Sequence, residues 1–319
     1  MVGKICGTGS YVPPHVMDND DLAKIVDTND EWIRERTGIG KRHIIEEETT
    51  SYMAGQAALR AVEQSGIDPE EIDMILVATS SSETIFPCAA CEVQRTIGAT
   101  HAVGYDLNAA CTGFVLAFNT AQAYISAGFC RTVMVIGADS MSTLIDWTDR
   151  GTCILFGDGA GAVILRAQDG NPVCMAAHSD GKKGPALTQL SRHRKGWENE
   201  QNKESYIHMD GQGVFKFAVR KVPEIIEEVL EKAELKLDDI DYFVLHQANR
   251  RIIEAAAKRL KVSMDRFPVN LEEYANTSAA TVPILLDELN RDGRFREGQK
   301  IMLAGFGAGL TWAACLFEW

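Results

Sequence analysis

The sequence predicts an α/β protein made of two similar halves, and three observations carry that reading. Apolar strand-like runs alternate with amphipathic helical stretches along the whole chain. The strand-like runs are apolar on both faces, as strands buried between helical layers are. Three separated segments of the first half also reappear in the second half at one offset.

The strand-like runs include 74–80, 102–109, 132–138, 153–166, 242–248 and 301–306. Helical stretches at 51–65, 112–127, 219–233 and 250–260 carry apolar residues at three- and four-residue spacing. The repeat links particular elements. AVEQSGIDPEEIDMILVAT starts at Ala61, and VLEKAELKLDDIDYFVLHQ starts at Val229, 168 residues later. NAACT at Asn108 answers to NTSAA at Asn276, and VMVIGA at Val133 to IMLAGF at Ile301, at the same offset. The expected division is 1–170 and 171–319, with a site where the halves meet. The polar stretch 180–205, with a basic spot at Arg192–Lys195, reads as a long exposed loop.

Bulk properties narrow the function. A chain of 319 residues buries a large core without metals or disulfides. Its net charge of −13 argues against general affinity for nucleic acid or an anionic membrane. MVGKICGTGSYVPP lacks the basic stretch and apolar run of a signal peptide, and no apolar run is long enough to span a membrane. The expectation is a cytoplasmic protein with its eight cysteines reduced. Cys88 and Cys91 form a C-x-x-C with no second pair to complete a four-cysteine zinc site, so no metal is expected.

Three residues suggest chemistry. Cys111 follows a strand-like run and opens a helix, where the dipole and free N–H groups favour thiolate. His246 ends the strand-like YFVLHQA, and strand ends are where ligands bind in α/β folds. Asn276 stands in the repeat where Asn108 stands in the cysteine segment. The glycine run 305–310 lets backbone N–H groups approach a ligand, as an oxyanion hole requires. It lacks the G-K-S/T ending of a phosphate loop.

DTNDEWIRERTGI (27–39), DLNAACTGF (106–114), RGTCILFGDGAGA (150–162), HMDGQGVFKFA (208–218), LHQANRRII (245–253), YANTSAATVP (274–283) and AGFGAGLTW (304–312) together resemble the ordered motifs of the β-ketoacyl-acyl-carrier-protein synthase III family. That resemblance implies the thiolase-like fold, two duplicated α/β halves in five α-β-α-β-α layers, as a homodimer. It implies decarboxylative Claisen condensation of an acyl-coenzyme A primer with malonyl-acyl-carrier protein at the start of fatty acid synthesis. No cofactor is implied, since coenzyme A enters as part of a substrate. Cys111 is then the acylated nucleophile, His246 and Asn276 its partners, and the amides of Cys111 and Ala308 the oxyanion hole. Coenzyme A is expected at Thr28, Trp32, Arg36, Arg150, Gly211, Phe215 and Asn249. Carrier-protein docking is expected at Lys216, Gln247, Ala248, Asn249, Arg250, Arg251, Lys258 and Arg259. Phe86 is expected to reach the acyl pocket of the other subunit.

An amide cannot act as a base at neutral pH, so Cys with His and Asn favours decarboxylation over proton abstraction. A related synthase that primes a polyketide pathway would use the same triad. A papain-like hydrolase also pairs Cys, His and Asn, but there the Asn orients the His. A catalytically dead acyl-binding subunit would be expected to lack the cysteine.

Overall fold

The computed structural model describes residues 1–190 and 206–319, so the basic spot at Arg192–Lys195 lies outside the described residues. Two main sheets form. The first holds Val2–Tyr11, Asp158–Gln168, Thr132–Ser140, Met74–Ala78 and Val103–Leu107 in that spatial order. The first three strands alternate in direction, and the last three run parallel. The second holds Cys174–Ser179, Thr311–Glu318, Lys300–Gly307 and Tyr242–Leu245, with the same succession of directions.

The 168-residue offset is visible in the elements themselves. Short 3-10 turns at Pro69–Glu71 and Leu237–Asp239 keep it, as do the turns at Ala110–Thr112 and Ser278–Ala280. The helices Gly113–Ser126 and Thr281–Arg291 begin one offset apart. The equivalent of the edge strand Val103–Leu107 falls on a helical turn, Leu271–Tyr274, which leaves the second sheet with four strands.

Period-two alternation along the strands builds five layers. Ile75, Val77, Met134 and Ile136 face helices Thr50–Ser65 and Ala89–Ile97. Leu76, Val133 and Val135 face the opposite way, onto Phe114 and Phe118 of Gly113–Ser126 and Leu285 and Leu289 of Thr281–Arg291. Ile301, Leu303 and Phe317 cover those two helices from the other sheet. Met302, Ala304 and Leu316 turn outward, onto helices Gly211–Ala233 and Arg250–Leu260. Two helices are thus enclosed between two sheets, which is the thiolase-like arrangement.

The structure departs from the sequence reading in three places. Val2–Tyr11 is a strand although Gly3, Gly7 and Gly9 weaken the pattern. A Cβ on Gly9 would stand 2.4 Å from the carbonyl oxygen of Ala57, so glycine is what lets helix Thr50–Ser65 lie so close. The segment 153–166 is not one strand. Asp149 caps a helical turn at Arg150–Cys153, and the strand begins only at Asp158. Helix Gly211–Ala233 starts eight residues before 219, because Asp210 accepts the Gly213 N–H as its cap.

Gly137 lies in the strand Thr132–Ser140 against the turn Ser278–Ala280. A Cβ there would stand 2.1 Å from the Ala279 carbonyl oxygen. Gly137→Ala should destabilise the fold by about 1–3 kcal/mol through overpacking. Chemical denaturation against the parent checks this; an unchanged midpoint would show that the turn can retreat at little cost.

Candidate active site

Cys111 sits in the 3-10 turn Ala110–Thr112, directly before the helix Gly113–Ser126. The preceding Ala110 has φ +47°, a left-handed conformation that costs energy for a residue with a Cβ. The turn therefore holds the thiol up at the sheet end instead of letting the chain run straight into the helix. On the facing strand end, a Cβ on Gly307 would stand 2.9 Å from the Cys111 N. Only bare backbone fits there. Thr311 and Thr112 pin this junction, with their hydroxyls 3.0 Å apart and the Thr311 hydroxyl also 3.0 Å from the Ala308 carbonyl oxygen.

The Cys111 thiol is pushed up to about 12, chiefly by burial, with the Asp139 carboxylate adding repulsion. The Ser278 hydroxyl and the backbone N–H of Cys111 pull the other way. Burial thus opposes the thiolate that the helix N-terminus favours.

His246 is fully enclosed at the end of strand Tyr242–Leu245. Its backbone N–H donates to Ala304 O at 2.8 Å, and its Nδ1 lies 2.7 Å from the Thr281 hydroxyl. The ring packs edge-on to Phe306. Burial pushes its pKa down to about 3, so the ring is neutral. With Nδ1 occupied by Thr281, Nε2 is the atom left for a ligand.

Asn276 is also buried. Its Oδ1 accepts the Ser278 N–H at 2.9 Å. A backbone N–H can only donate, so that contact fixes the amide orientation and turns Nδ2 away from it. The main chain is clamped by Asn276 N–H to Leu155 O and Gly157 N–H to Asn276 O.

Cys111, His246 and Asn276 line one cavity, which also reaches Gly211, Phe215 and Asn249. A second cavity opens on the other side of Cys111, past Ser278 and Ala308, among Met141, Leu144 and Ile207. The thiol stands between the two. Among the described residues no group of His, Cys, Asp or Glu side chains is placed to hold a metal ion.

Of the residues expected to meet coenzyme A, Gly211, Phe215 and Asn249 line the cavity, while Trp32, Arg36 and Arg150 form a cluster of their own. The guanidinium carbons of Arg150 and Arg36 stand 4.9 Å and 5.8 Å from the Trp32 ring centroid. Arg150 also donates to the Asp27 carbonyl. The Thr28 hydroxyl is buried without a partner among the described residues. Asn249 caps helix Arg250–Leu260 and donates through Nδ2 to Arg36 O at 3.1 Å, which ties the arginine segment to the cavity.

The expected docking residues separate into kinds. Lys216, Arg250, Arg251, Lys258 and Arg259 are exposed. Arg251 lies over Phe215 at 5.3 Å, Arg250 pairs with Glu254, and Arg259 pairs with Glu224. Ala248 is half-buried and lines the cavity. Gln247 departs from the expectation. It is buried, and its amide is spent on the Leu245 and Pro268 carbonyls and the Asn270 N–H. It braces the loop and offers no surface. Phe86 is 85% exposed and lies outside both cavities of its own chain.

Sequence reasoning missed Thr281, Ser278 and Asp139. The repeat offered a signal for one of them: Ser278 stands 168 residues after Ala110, and both have positive φ. Thr281 and Asp139 had no signal beyond their neighbourhood.

Models of two protein families match the chain. The one described as 3-oxoacyl-[acyl-carrier-protein] synthase III covers residues 105–181, and the one for its C-terminal part covers 230–319. The β-ketoacyl-[acyl-carrier-protein] synthase III of Clostridium acetobutylicum is 49% identical over 99% of this chain and 98% of that protein. The crystal structure of the 3-oxoacyl-[acyl-carrier-protein] synthase III of Aquifex aeolicus superposes with a TM-score of 0.93 at 41% identity, covering 99% of this chain and all of that one. The priming β-ketosynthase of the R1128 polyketide pathway superposes with a TM-score of 0.95 at 36% identity, covering 99% and 96%. With its motifs in order and its relatives matching from end to end, the chain belongs to the β-ketoacyl-[acyl-carrier-protein] synthase III family.

Proposed function

We propose that this protein starts fatty acid synthesis by condensing an acyl-coenzyme A primer with malonyl-acyl-carrier protein, through an acyl-cysteine on Cys111. The observation that carries the proposal is the cavity shared by Cys111, His246 and Asn276, with the Asn276 Nδ2 free to donate. In the first half-reaction the Cys111 sulfur attacks the primer thioester. The amides of Cys111 and Ala308 hold the oxyanion, and the thiol proton ends on the departing coenzyme A sulfur. In the second, malonyl-carrier protein loses carbon dioxide, and the enolate carbon takes the acyl group from Cys111.

His246 Nε2 and Asn276 Nδ2 donate to the thioester oxygen on which enolate charge grows. For Nε2 to carry a proton, Nδ1 must accept one, which requires the Thr281 hydroxyl to turn its single hydrogen from the Ser278 carbonyl oxygen, 3.1 Å away, to Nδ1. Arg36, Arg150 and Trp32, with Thr28, Gly211, Phe215 and Asn249, receive coenzyme A. Exposed Lys216, Arg250, Arg251, Lys258 and Arg259 meet the acidic carrier protein, most of all during encounter. Residues 1–170 supply the nucleophile, and 171–319 supply the two donors.

A homodimer completes this reading. The strand Val103–Leu107 is an edge, and Ile85, Phe86, Val103 and Phe129 are large apolar side chains left exposed. Phe86 then enters the acyl cavity of the partner subunit. Among the described residues no helix is long and apolar enough to cross a membrane. The likeness to a polyketide priming synthase favours one second reading, in which the same chemistry starts a polyketide. The mass of the acyl group left on Cys111 after incubation with mixed acyl-coenzyme A species bears on that choice.

Three predictions follow from the site. Cys111→Ala should take up no acyl group from acetyl-coenzyme A. His246→Ala and Asn276→Ala should acylate normally but lose condensation by roughly 100- to 1000-fold, the usual effect of removing such donors. Intact-protein mass and carbon dioxide release separate the two halves; normal carbon dioxide release in both variants would end the assignment.

The two pH dependences should differ. The thiolate is the reactive form, and the thiol is held above its ordinary value. Alkylation of Cys111 by iodoacetamide should climb about tenfold per pH unit, without a plateau, from pH about 6 to 9. His246 is held below its ordinary value, so it stays neutral as pH falls through the usual histidine range. Carbon dioxide release should therefore show no histidine step between pH about 5 and 8. An alkylation plateau below pH about 8 would mean that the thiol ionises early.

Phe86→Ala should remain a dimer in sedimentation and shift the acyl ratio on Cys111 toward longer or branched primers by about tenfold, the scale of one methylene in a pocket. An unchanged ratio in a dimeric variant would remove Phe86 from the pocket.

A further inference from the structure

Two nucleophiles outside the active site stand in contact. The Cys88 and Cys91 sulfurs are 3.5 Å apart, and both residues are half-buried. Cys88 is the N-cap of helix Ala89–Ile97, and Cys91 lies in its first turn. Residues three apart at a helix start have Cβ atoms about 5–6 Å apart and project on one side. A disulfide needs Cβ atoms about 3.5–4.5 Å apart and sulfurs about 2.05 Å apart, so closing this pair from 3.5 Å draws the N-cap and the first turn together. Cys130, Cys153 and Cys315 are buried.

We propose that Cys88 and Cys91 form a reversible intrachain disulfide, a redox-modification site at the start of the helix that follows Phe86. The oxidant class is a small-molecule disulfide. One cysteine sulfur attacks it, forming a mixed disulfide and releasing one thiol. The second cysteine attacks that mixed disulfide and releases the other thiol. The protein loses two hydrogens and two electrons, and the reagent gains both.

Local electrostatics set the character of the site. The Asp106 carboxylate accepts the Ala89 and Ala90 N–H groups at 2.9 and 2.8 Å, so the positive end of the helix is already matched. The Cys91 thiol is held above its ordinary value, first by the Cys88 thiol, then by burial and by Asp106. A Cys91 thiol held in its protonated form exchanges slowly. This is the opposite of a catalytic dithiol, and it suits a site that answers to sustained oxidation. The bond would tie the N-cap to the first turn, two residues beyond Phe86 and 3.9 Å from the Gly104 carbonyl oxygen, at the strand edge where the proposed homodimer forms.

The test is a titration of the whole protein in mixtures of reduced and oxidised glutathione, trapped by acid, alkylated and mapped by peptide mass. The proposal expects the peptide holding Cys88 and Cys91 to lose two hydrogens and resist alkylation under oxidising conditions. Dithiothreitol should restore it, and the Cys111 peptide is followed separately. Cys88→Ala and Cys91→Ala, with unchanged melting, should form no such bond. Full alkylation of both thiols at the oxidising limit would overturn the proposal. So would an unresolved glutathione adduct on either in the parent protein, pairing of either with another cysteine, or tightly bound zinc on the reduced pair.

Discussion

The backbones of two helix starts press against each other's sheets with no side chain between them, and the site is held by that close approach. Gly137 on the first sheet faces Ala279 in the turn of the second half, where a Cβ would stand 2.1 Å from the carbonyl oxygen. Gly305, one repeat later, faces Cys111 and Thr112 in the turn of the first half, with room at 3.6 Å. Gly307 then brings its backbone against the Cys111 N. Each half supplies a bare strand on which the turn of the other half rests. The thiol, the histidine and the amide meet because this crossed packing brings the two enclosed helices to start at neighbouring points.

Enclosure at that junction decides the electrostatics. The same burial that pushes the Cys111 thiol up holds the His246 imidazole neutral. A cationic histidine would have favoured the thiolate, but burial of the ring keeps it neutral. The residues are therefore suited to successive tasks. In the proposed reaction Cys111 depends on substrate arriving at an oxyanion site, while His246 and Asn276 act as neutral donors toward charge that appears only when carbon dioxide leaves.

Much of this was legible in the sequence, and the gaps have physical reasons. The offset between Ala61 and Val229 announced the duplicated fold, and the ends of its strand-like runs located Cys111 and His246. Val2–Tyr11 was hidden because its glycines serve close packing, which needs the folded helix to be understood. Thr311–Glu318 was hidden because a small-residue run such as TWAACLF has no alternation to read. Gln247 was expected in the docking surface only through the family resemblance, whereas its amide satisfies three backbone groups that the loop buries. Thr281 was invisible because its role depends on a ring 35 residues away in sequence.

The duplicated asparagines explain how one half acquires donors and the other a nucleophile. Asn108 Oδ1 accepts the Ala110 N–H, and Asn276 Oδ1 accepts the Ser278 N–H, so both perform the same backbone task two residues ahead. That task alone would keep an asparagine in each turn. It also spends the carbonyl end of each amide and leaves the NH2 end for something else. In the second half the NH2 end belongs to a residue lining the cavity shared by Cys111 and His246. At the next position of the turn, the first half carries Cys111 and the second carries Ala279, whose N–H is bound by the Asp139 carboxylate. The division between the halves therefore lies in the side chains carried at matching positions, on a turn whose left-handed residue, Ala110 in one half and Ser278 in the other, is common to both.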